Sequence, residues 1–363
     1  MPEKNKVVVA MSGGVDSSLT AALLQQKGYE VIGVTMQIWP AEREEDEHSA
    51  GGCCSLSAVD DARRVADKLG IPYYVMNFRD YFEHKVINNF VDEYLAGRTP
   101  NPCIACNKYV KFEALLQKAM ALGAEYIATG HYTRLGYDEG RQRYVMRKSV
   151  DLSKDQTYAL YNMTQHHIRH TLMPLGDFHK TETRRLAAEL GLTVADKPDS
   201  QEICFVTDNN YRGFLQEKAG EKIKPGPFLD TKGNVLGQHE GIPFYTVGQR
   251  KGLGITFGEP MYVVAIDAAR NAVILGRHEE VFSSELISVE NNLIMLEKLT
   301  GPMEIEAKIR YSAKPARAVI SPLPEDKIHV KFNEAQRAIT PGQAVVFYDG
   351  DYVVGGGTIE KRL

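Results

Sequence analysis

The stretch Ser12-Gly13-Gly14-Val15-Asp16-Ser17-Ser18 directly follows the apolar run Val7-Val8-Val9-Ala10. A short β-branched run, a glycine loop, and then Leu19-Thr20-Ala21-Ala22-Leu23-Leu24 closed by Gly28 predict strand, loop and helix in succession. Glycines let the backbone approach an anion, and the helix that follows offers N–H groups and a partial positive charge. Serine hydroxyls add donors, so the loop reads as a phosphate cradle. It has neither the Lys of G-x-x-x-x-G-K-[ST] nor the spacing of G-x-G-x-x-G, which excludes a Walker loop and a dinucleotide fingerprint.

Outward from this loop the pattern keeps alternating. Tyr29 to Trp39 is strand-like, and Ser57 to Leu69 carries Val59, Ala62, Val65, Ala66 and Leu69 at helical spacing before Gly70. Ile71 to Phe78 is predicted as a strand, Phe112 to Leu122 as a helix, and Tyr126-Ile127-Ala128-Thr129-Gly130 as a buried strand. Such alternation gives an α/β fold, a doubly wound and mostly parallel sheet with helices on both faces. Ligands of such sheets sit at the carboxyl ends of the strands, which places the 12–18 loop, Met36 and Gly130-His131 along one crevice.

A chain of 363 residues is long enough for two or three domains, and its 43% hydrophobic and 25% charged content is that of a globular protein. The start Met1-Pro2-Glu3-Lys4-Asn5-Lys6 lacks the apolar core of a signal peptide, and no apolar run reaches membrane-spanning length. A cytoplasmic location without a membrane partner is therefore expected, and nothing demands more than a monomer. With a net charge of −4, a nucleic-acid partner must be met by a local basic surface. Ala41 to Ser49 (AEREEDEHS) reads as a solvated charged loop. The α/β pattern occupies residues 1–207. Beyond it, Pro225-Gly226-Pro227 and frequent glycines, with short strands at Met261 to Ile266 and Ala272 to Leu275, suggest a small central domain at 208–280. Over 283–363, Glu304 to Tyr311, Lys327 to Phe332, Ala344 to Tyr348 and Tyr352 to Ile359 read as antiparallel strands, with Asp349-Gly350 as a hairpin turn. A C-terminal β-barrel follows.

The chain has five cysteines, a number that suggests reactive thiols or metal ligands rather than a disulfide framework. Cys103-Ile104-Ala105-Cys106 lies in a segment stiffened by Pro100 and Pro102, and Cys204 lies in Asp199-Ser200-Gln201-Glu202-Ile203-Cys204-Phe205. A lone C-x-x-C is a weak signal. Cys53 and Cys54 are adjacent, a poor geometry for a zinc pair, and read as structural or incidental.

Several motifs in one order carry a resemblance. The 12–18 loop matches the SGGVDS loop of the PP-loop ATP pyrophosphatases. AMSGGVDSS (10–18), GRTPNPCIACNKYVKF (97–112), YIATGHY (126–132), KDQTYAL (154–160), DSQEICF (199–205), TVGQRKGLG (246–254), KIRYSAKPA (308–316) and TPGQAVVFYDG (340–350) together resemble the bacterial tRNA-specific 2-thiouridylase family, MnmA. The resemblance implies ATP-dependent 2-thiolation of the wobble uridine of glutamate, lysine and glutamine tRNAs. The uracil C2 oxygen, a poor leaving group, would be adenylated at the α-phosphate of ATP, sulfur would enter, and AMP and pyrophosphate would leave.

Carried over by position, the resemblance implies that Ala10, Met11, Ser12, Gly13, Gly14, Val15, Asp16, Ser17, Met36 and Gly130 bind ATP, with Asp16 placed to hold Mg²⁺ on the polyphosphate. Cys106 matches the nucleophile and Cys204 the persulfide carrier, the pair passing through a Cys106–Cys204 disulfide that must be reduced afterwards. Lys108 stands near enough in sequence to depress the Cys106 pKa. Asn101, Pro102 and Cys103 would approach the target base. His131, Lys154, Asp155, Gln156, Arg310, Tyr311 and Gln343 would contact tRNA. The stretch 308–317 holds Lys308, Arg310, Lys314 and Arg317 around Tyr311 without an acidic residue, which suits phosphate contact and stacking. The cationic turn Gly248-Gln249-Arg250-Lys251-Gly252 reads equally as an exposed β-turn or an RNA contact.

One departure stands out. Cys103 occupies a position that is Asp in many family members, where it is proposed as an acid/base helper. Two sulfur routes follow: a Cys204 persulfide relay fed by a cysteine desulfurase or sulfur-relay protein, or a [4Fe–4S] cluster on Cys103, Cys106 and Cys204. The rival functions are another PP-loop synthetase, of the GMP or argininosuccinate type, and a non-enzymatic RNA-binding Fe–S or redox sensor. The cysteine motifs oppose the first rival and the intact loop opposes the second.

Overall fold

A computed structural model describes residues 5–38, 56–199, 203–206, 210–254 and 258–363. Trp39, the acidic run 41–49 and Cys53-Cys54 lie outside the described residues. The chain divides into two compact units, one of residues 1–86, 103–209 and 351–353, the other of 87–102, 210–350 and 354–363. Among the described residues no helix is long and apolar enough to cross a membrane.

The first unit is built on β1 (Lys6–Ala10), β2 (Glu30–Gln37), β3 (Tyr73–Asn77) and β4 (Tyr126–Ala128). An antiparallel hairpin follows, β5 (Thr133–Asp138) with β6 (Arg143–Lys148), and then the short strand β7 (Thr171–Leu172). The sheet order is β3-β2-β1-β4-β7, with every neighbouring pair parallel. Val7, Val8 and Val9 are fully buried at its centre. Full burial is worth roughly 1.5–3 kcal/mol per side chain of this kind, so this run fixes the middle of the sheet. Helices α1 (Val15–Gln26), α2 (Leu56–Leu69) and α3 (Lys180–Glu189) supply Val15, Ala21, Ala62, Val65, Ala66 and Ala187 to the core around Val7 and Val9. Small alanines there let the helices approach the sheet closely. The strand order reverses at β1, since β2 and β3 lie to one side and β4 and β7 to the other. The loops after β1 and β4 therefore flank the switch point, where such folds leave a crevice.

The expected elements form with shifted bounds. The strand expected over 71–78 is Tyr73–Asn77, and the helix expected over 112–122 begins much earlier. Pro102 opens a short helix, Pro102–Ala105, which continues as a wide π-helical stretch, Cys106–Leu115, and then as an α-helix, Leu116–Ala121. Proline is well suited to a first helical turn, where its missing N–H has no partner to lose. The cysteine motif thus sits on a helix.

In the second unit, α4 (Tyr211–Ala219) precedes β8 (Gly226–Asp230), β9 (Val235–His239), β10 (Tyr262–Asp267) and β11 (Ala272–Gly276), a sheet of order β10-β11-β8-β9. The turn between β8 and β9 is tied by Asp230, which accepts from the backbone N–H groups of Lys232 and Asn234. The remaining strands are β12 (Phe282–Leu293), β13 (Met303–Lys308), β14 (Ala316–Pro322), β15 (Ile328–Arg337), β16 (Ala344–Asp349) and β17 (Tyr352–Arg362). Their order β12-β15-β14-β13-β16-β17 is closed by pairing of β17 with β12, giving a six-stranded antiparallel barrel. Gly350, at φ +58, makes the expected tight turn into β17.

Candidate active site

The loop after β1 is shaped by its own groups. Gly13 adopts φ +66, and a Cβ there would stand 2.2 Å from the Ala58 carbonyl oxygen, so only glycine fits. Ser17 Oγ accepts from the Ser12 N–H at 3.1 Å and donates to the Gly14 carbonyl at 3.2 Å, while Ser18 Oγ donates to that carbonyl at 2.8 Å. The serine hydroxyls therefore brace the loop. The N-cap Gly14 provides no side-chain cap, so the backbone N–H groups at the start of α1 are the donors that could meet an anion. Gly130 closes the other side: a Cβ there would lie 2.7 Å from the Asp16 carbonyl carbon and 2.8 Å from the Ser17 nitrogen. Met36, at the carboxyl end of β2, is buried.

Asp16 lies in the first turn of α1, and its carboxylate is fully engaged. Lys180 Nζ donates to both oxygens at 2.7 Å, and the Tyr132 hydroxyl donates to Oδ1 at 2.8 Å. Burial first, then the Asp16 charge, pushes the Tyr132 phenol up, so it stays protonated. Lys180 also lies 2.8 Å from Asp199 Oδ1, and Asp199 in turn meets Lys154 at 2.8 Å and Arg184 at 3.2 Å. Burial alone would raise the Asp199 carboxyl. Hydrogen bonds and charge from Lys154 and Lys180 overcome that penalty and bring it down to about 2. Lys197 Nζ adds a bond to the Gly13 carbonyl at 3.1 Å and one to Asp61 at 2.7 Å.

Residues expected to face RNA serve local roles here. Gln156 Oε1 accepts from the Tyr132 N–H at 2.9 Å, Asp155 accepts from the Ser149 N–H at 3.0 Å, and Lys154 pairs with Asp199. His131 is half-buried, its Nδ1 2.7 Å from Thr129 Oγ1; burial, helped by Lys111, holds the ring well below its usual pKa and neutral at pH 7. In the second unit Gln343 Nε2 donates to the carbonyls of Thr99 at 2.9 Å and Pro100 at 3.2 Å, which fixes the chain just before Asn101. Arg310 lies beyond the end of β13, not within it. Its guanidinium donates to the carbonyls of Arg337 at 2.9 Å and Ala338 at 2.6 Å, whereas Tyr311 is 50% exposed. The turn at 248–252 is braced internally, Gln249 accepting from the Thr246 N–H and donating to the Lys251 carbonyl.

Cys103 is exposed, and Cys106 and Cys204 are half-buried. Cys103 and Cys106 sit on successive turns of one helical run, whereas Cys204 belongs to a turn whose Phe205 packs edge-on against Phe82 at 5.8 Å. Lys108 lies over the Tyr109 ring at 5.0 Å. Among the described residues no three His, Cys, Asp or Glu side chains gather as metal ligands. The expected three-thiolate ligand set for an iron–sulfur cluster is thus not assembled.

The model of the tRNA methyl transferase HUP domain matches residues 5–208, that of the tRNA methyl transferase PRC-barrel domain 212–277, and that of the Aminomethyltransferase beta-barrel domain 283–359. The tRNA-specific 2-thiouridylase MnmA 1 of Thermoanaerobacter sp. (strain X514) is 63% identical over 363 residues, 100% of both chains. The MnmA of Acetivibrio thermocellus is 63% identical over 357 residues, 98% of this chain and 99% of its own. This chain belongs to the MnmA family. The solved NMN synthetase of Francisella tularensis aligns at a TM-score of 0.34 and 16% identity over 60% of this chain and 78% of its own, too distant to carry an argument.

Seen as an MnmA protein, the chain holds residues whose place at the loop no motif announces. Tyr132, Lys180, Arg184, Lys197 and Asp199 gather there; Tyr132 and Asp199 stand in the YIATGHY and DSQEICF motifs, but no local pattern ties any of the five to the loop. Lys180 stands in Asp177-Phe178-His179-Lys180-Thr181-Glu182, an ordinary polar helix start. One signal was available: a phosphate loop without its own lysine asks for a cation from elsewhere in the chain.

Proposed function

We propose that this MnmA-family chain 2-thiolates the wobble uridine of glutamate, lysine and glutamine tRNAs at the expense of ATP. The supporting observation is the loop at 12–18, braced by its own serines with the start of α1 uncapped by side chains, in a chain 63% identical over its full length to a protein named tRNA-specific 2-thiouridylase. Backbone N–H groups there suit a pyrophosphate that must be held still while the α-phosphate is attacked. The uracil C2 oxygen attacks that phosphorus, giving an O-adenylated base and pyrophosphate. Met36 and Gly130 line the adenosine side. Mg²⁺, when bound, neutralises the polyphosphate. Because Lys180 and Tyr132 engage both Asp16 oxygens, we assign Asp16 to holding Lys180.

Sulfur arrives as a persulfide on Cys204 from a cysteine desulfurase or sulfur-relay protein. The Cys106 thiolate attacks the inner sulfur and releases hydrosulfide, so a Cys106–Cys204 disulfide forms. Hydrosulfide adds at C2 and AMP leaves with the former C2 oxygen. A dithiol reductant supplies the two electrons that restore both cysteines. Asn101, Pro102 and Cys103 approach the base, and His131, Tyr311 and the exposed cations Lys314 and Arg317 meet tRNA.

Thiolation of unmodified tRNA by the Cys103→Ala, Cys106→Ala and Cys204→Ala variants tests this scheme. With ATP, Mg²⁺ and a persulfide donor, the second and third should lose product by about 100-fold or more, as expected for removal of a nucleophile. Cys103→Ala should retain activity. Loss in all three would restore the cluster route, and pyrophosphate release independent of tRNA would favour a different PP-loop synthetase.

A further inference from the structure

The phosphate loop has no lysine of its own, and Asp16, the acidic residue of its first helical turn, bonds to Lys180 and Tyr132. Four cations stand around it: Lys154, Lys180, Arg184 and Lys197. Three are committed to holding the scaffold. Lys197 is fixed on the Gly13 carbonyl and Asp61. Arg184 spans the carbonyls of Ala195 at 2.7 Å and Lys197 at 3.0 Å. Lys154 pairs with Asp199. Lys180 differs, because among these four it is the one bonded to an acidic side chain of the loop.

Its position is also unfavourable by ordinary rules. Lys180 is 8% exposed and is the first residue of α3, where the helix dipole repels a cation. A buried ammonium survives there because Asp16 and Asp199 each contribute a carboxylate. Its backbone N–H is fixed as well, by Asp151 Oδ2 at 3.0 Å. A lysine kept in so adverse a place, 164 positions along the chain from Asp16, calls for a reason beyond fold stability.

We propose that Lys180 is the cation of the phosphate loop, brought to Asp16 from α3 to meet the phosphates of ATP, and that Asp199 is the positioning residue that holds it in reach. This rests on the ATP-dependent reading above. Two carboxylates against Lys180, Lys154 and Arg184 leave the cluster with one surplus positive charge, which suits a polyanion. A lysine ammonium has three donors on a flexible stem, so it can exchange a carboxylate contact for a phosphate oxygen without leaving the site. Pyrophosphate developing during attack on the α-phosphorus would gain most from it.

The test compares binding of ATP·Mg²⁺, AMP and unmodified tRNA by calorimetry in the wild type, Lys180→Met, Lys180→Arg and Asp199→Asn. Loss of a charge-assisted contact predicts that Lys180→Met weakens ATP by about 10-fold or more while AMP and tRNA change by less than about 3-fold. Lys180→Arg should recover part of the ATP affinity. Asp199→Asn should weaken ATP less than Lys180→Met does, and raise the KM for ATP with little change in the KM for tRNA. Should Lys180→Met fail to fold, with Asp16 and Asp199 left facing each other, the double variant Lys180→Met/Asp199→Asn takes its place. Equal loss of ATP and AMP, or a lowered melting temperature with ATP affinity intact, would overturn the proposal. A wild type that binds no ATP would instead overturn the ATP-dependent reading itself.

Discussion

Asp199 lies among three cations, and its carboxyl stays ionised down to about pH 2. The sign of its linkage follows from that depressed value. A carboxyl whose folded pKa lies below its ordinary 3.8 contributes stability above that ordinary value and loses it as the pH falls through the folded one. Denaturant titrations of the wild type and Asp199→Asn between pH 5 and 2 should therefore converge. The wild type should be the more stable at pH 5 by up to about 2 kcal/mol, with the gap closing between roughly pH 4 and pH 2. Parallel curves over that range would mean that the ion network does not hold Asp199 in solution. None of this was legible in the sequence. Asp199 could be assigned only to the Cys204 motif, since its partners Lys154, Lys180 and Arg184 are brought to it by the fold.

The strand–loop–helix at the start of the chain was legible because each of its parts is a local signal. Valines specify a buried strand, glycines a tight loop, and Gly28, at φ +88, the helix stop. The barrel was legible in part. β12 and β14 were not legible, as the polar residues Glu290, Asn291 and Asn292 break the alternation of β12 and β14 overlaps a stretch that reads as a basic surface. The basic face itself is milder than its sequence suggests, because Arg317 stands opposite Glu306 on the neighbouring strand. Closeness between β4 and the loop allows a paired test. Gly130→Ala would push a methyl into the backbone at Asp16 and Ser17, so ATP binding should fall by at least about 10-fold, in line with a forced shift of a tightly packed site. Gly28→Ala meets nothing within 4 Å and should cost only about 1 kcal/mol of stability, leaving ATP affinity intact. Equal ATP affinities in the two variants would show that β4 does not confine the loop.

For the molecule as a whole, a net charge of −4 means that the proposed tRNA binding would rest on a local basic surface rather than on a global field. Lys314 and Tyr311 are exposed, whereas Arg310 is spent on the carbonyls of Arg337 and Ala338. Lys314→Ala should weaken tRNA uniformly and reduce the slope of log affinity against log salt by about 1, with the melting temperature unchanged. Arg310→Ala should do the reverse, lowering the melting temperature while leaving that slope alone. A salt series of tRNA binding with parallel melting curves distinguishes the two.

The bridge from Lys180 to Asp16 and Asp199 bears on which anions the cradle would attract. The site carries its own counter-ions, so an entering anion must displace a carboxylate to reach the ammonium. A small, singly or doubly charged ion such as inorganic phosphate gains little from that exchange, whereas a nucleoside triphosphate brings enough charge and reach to win it. If Lys180 meets the phosphates as proposed, the internal ion pair would act as a discriminator, favouring a polyphosphate over the small anions of the cell.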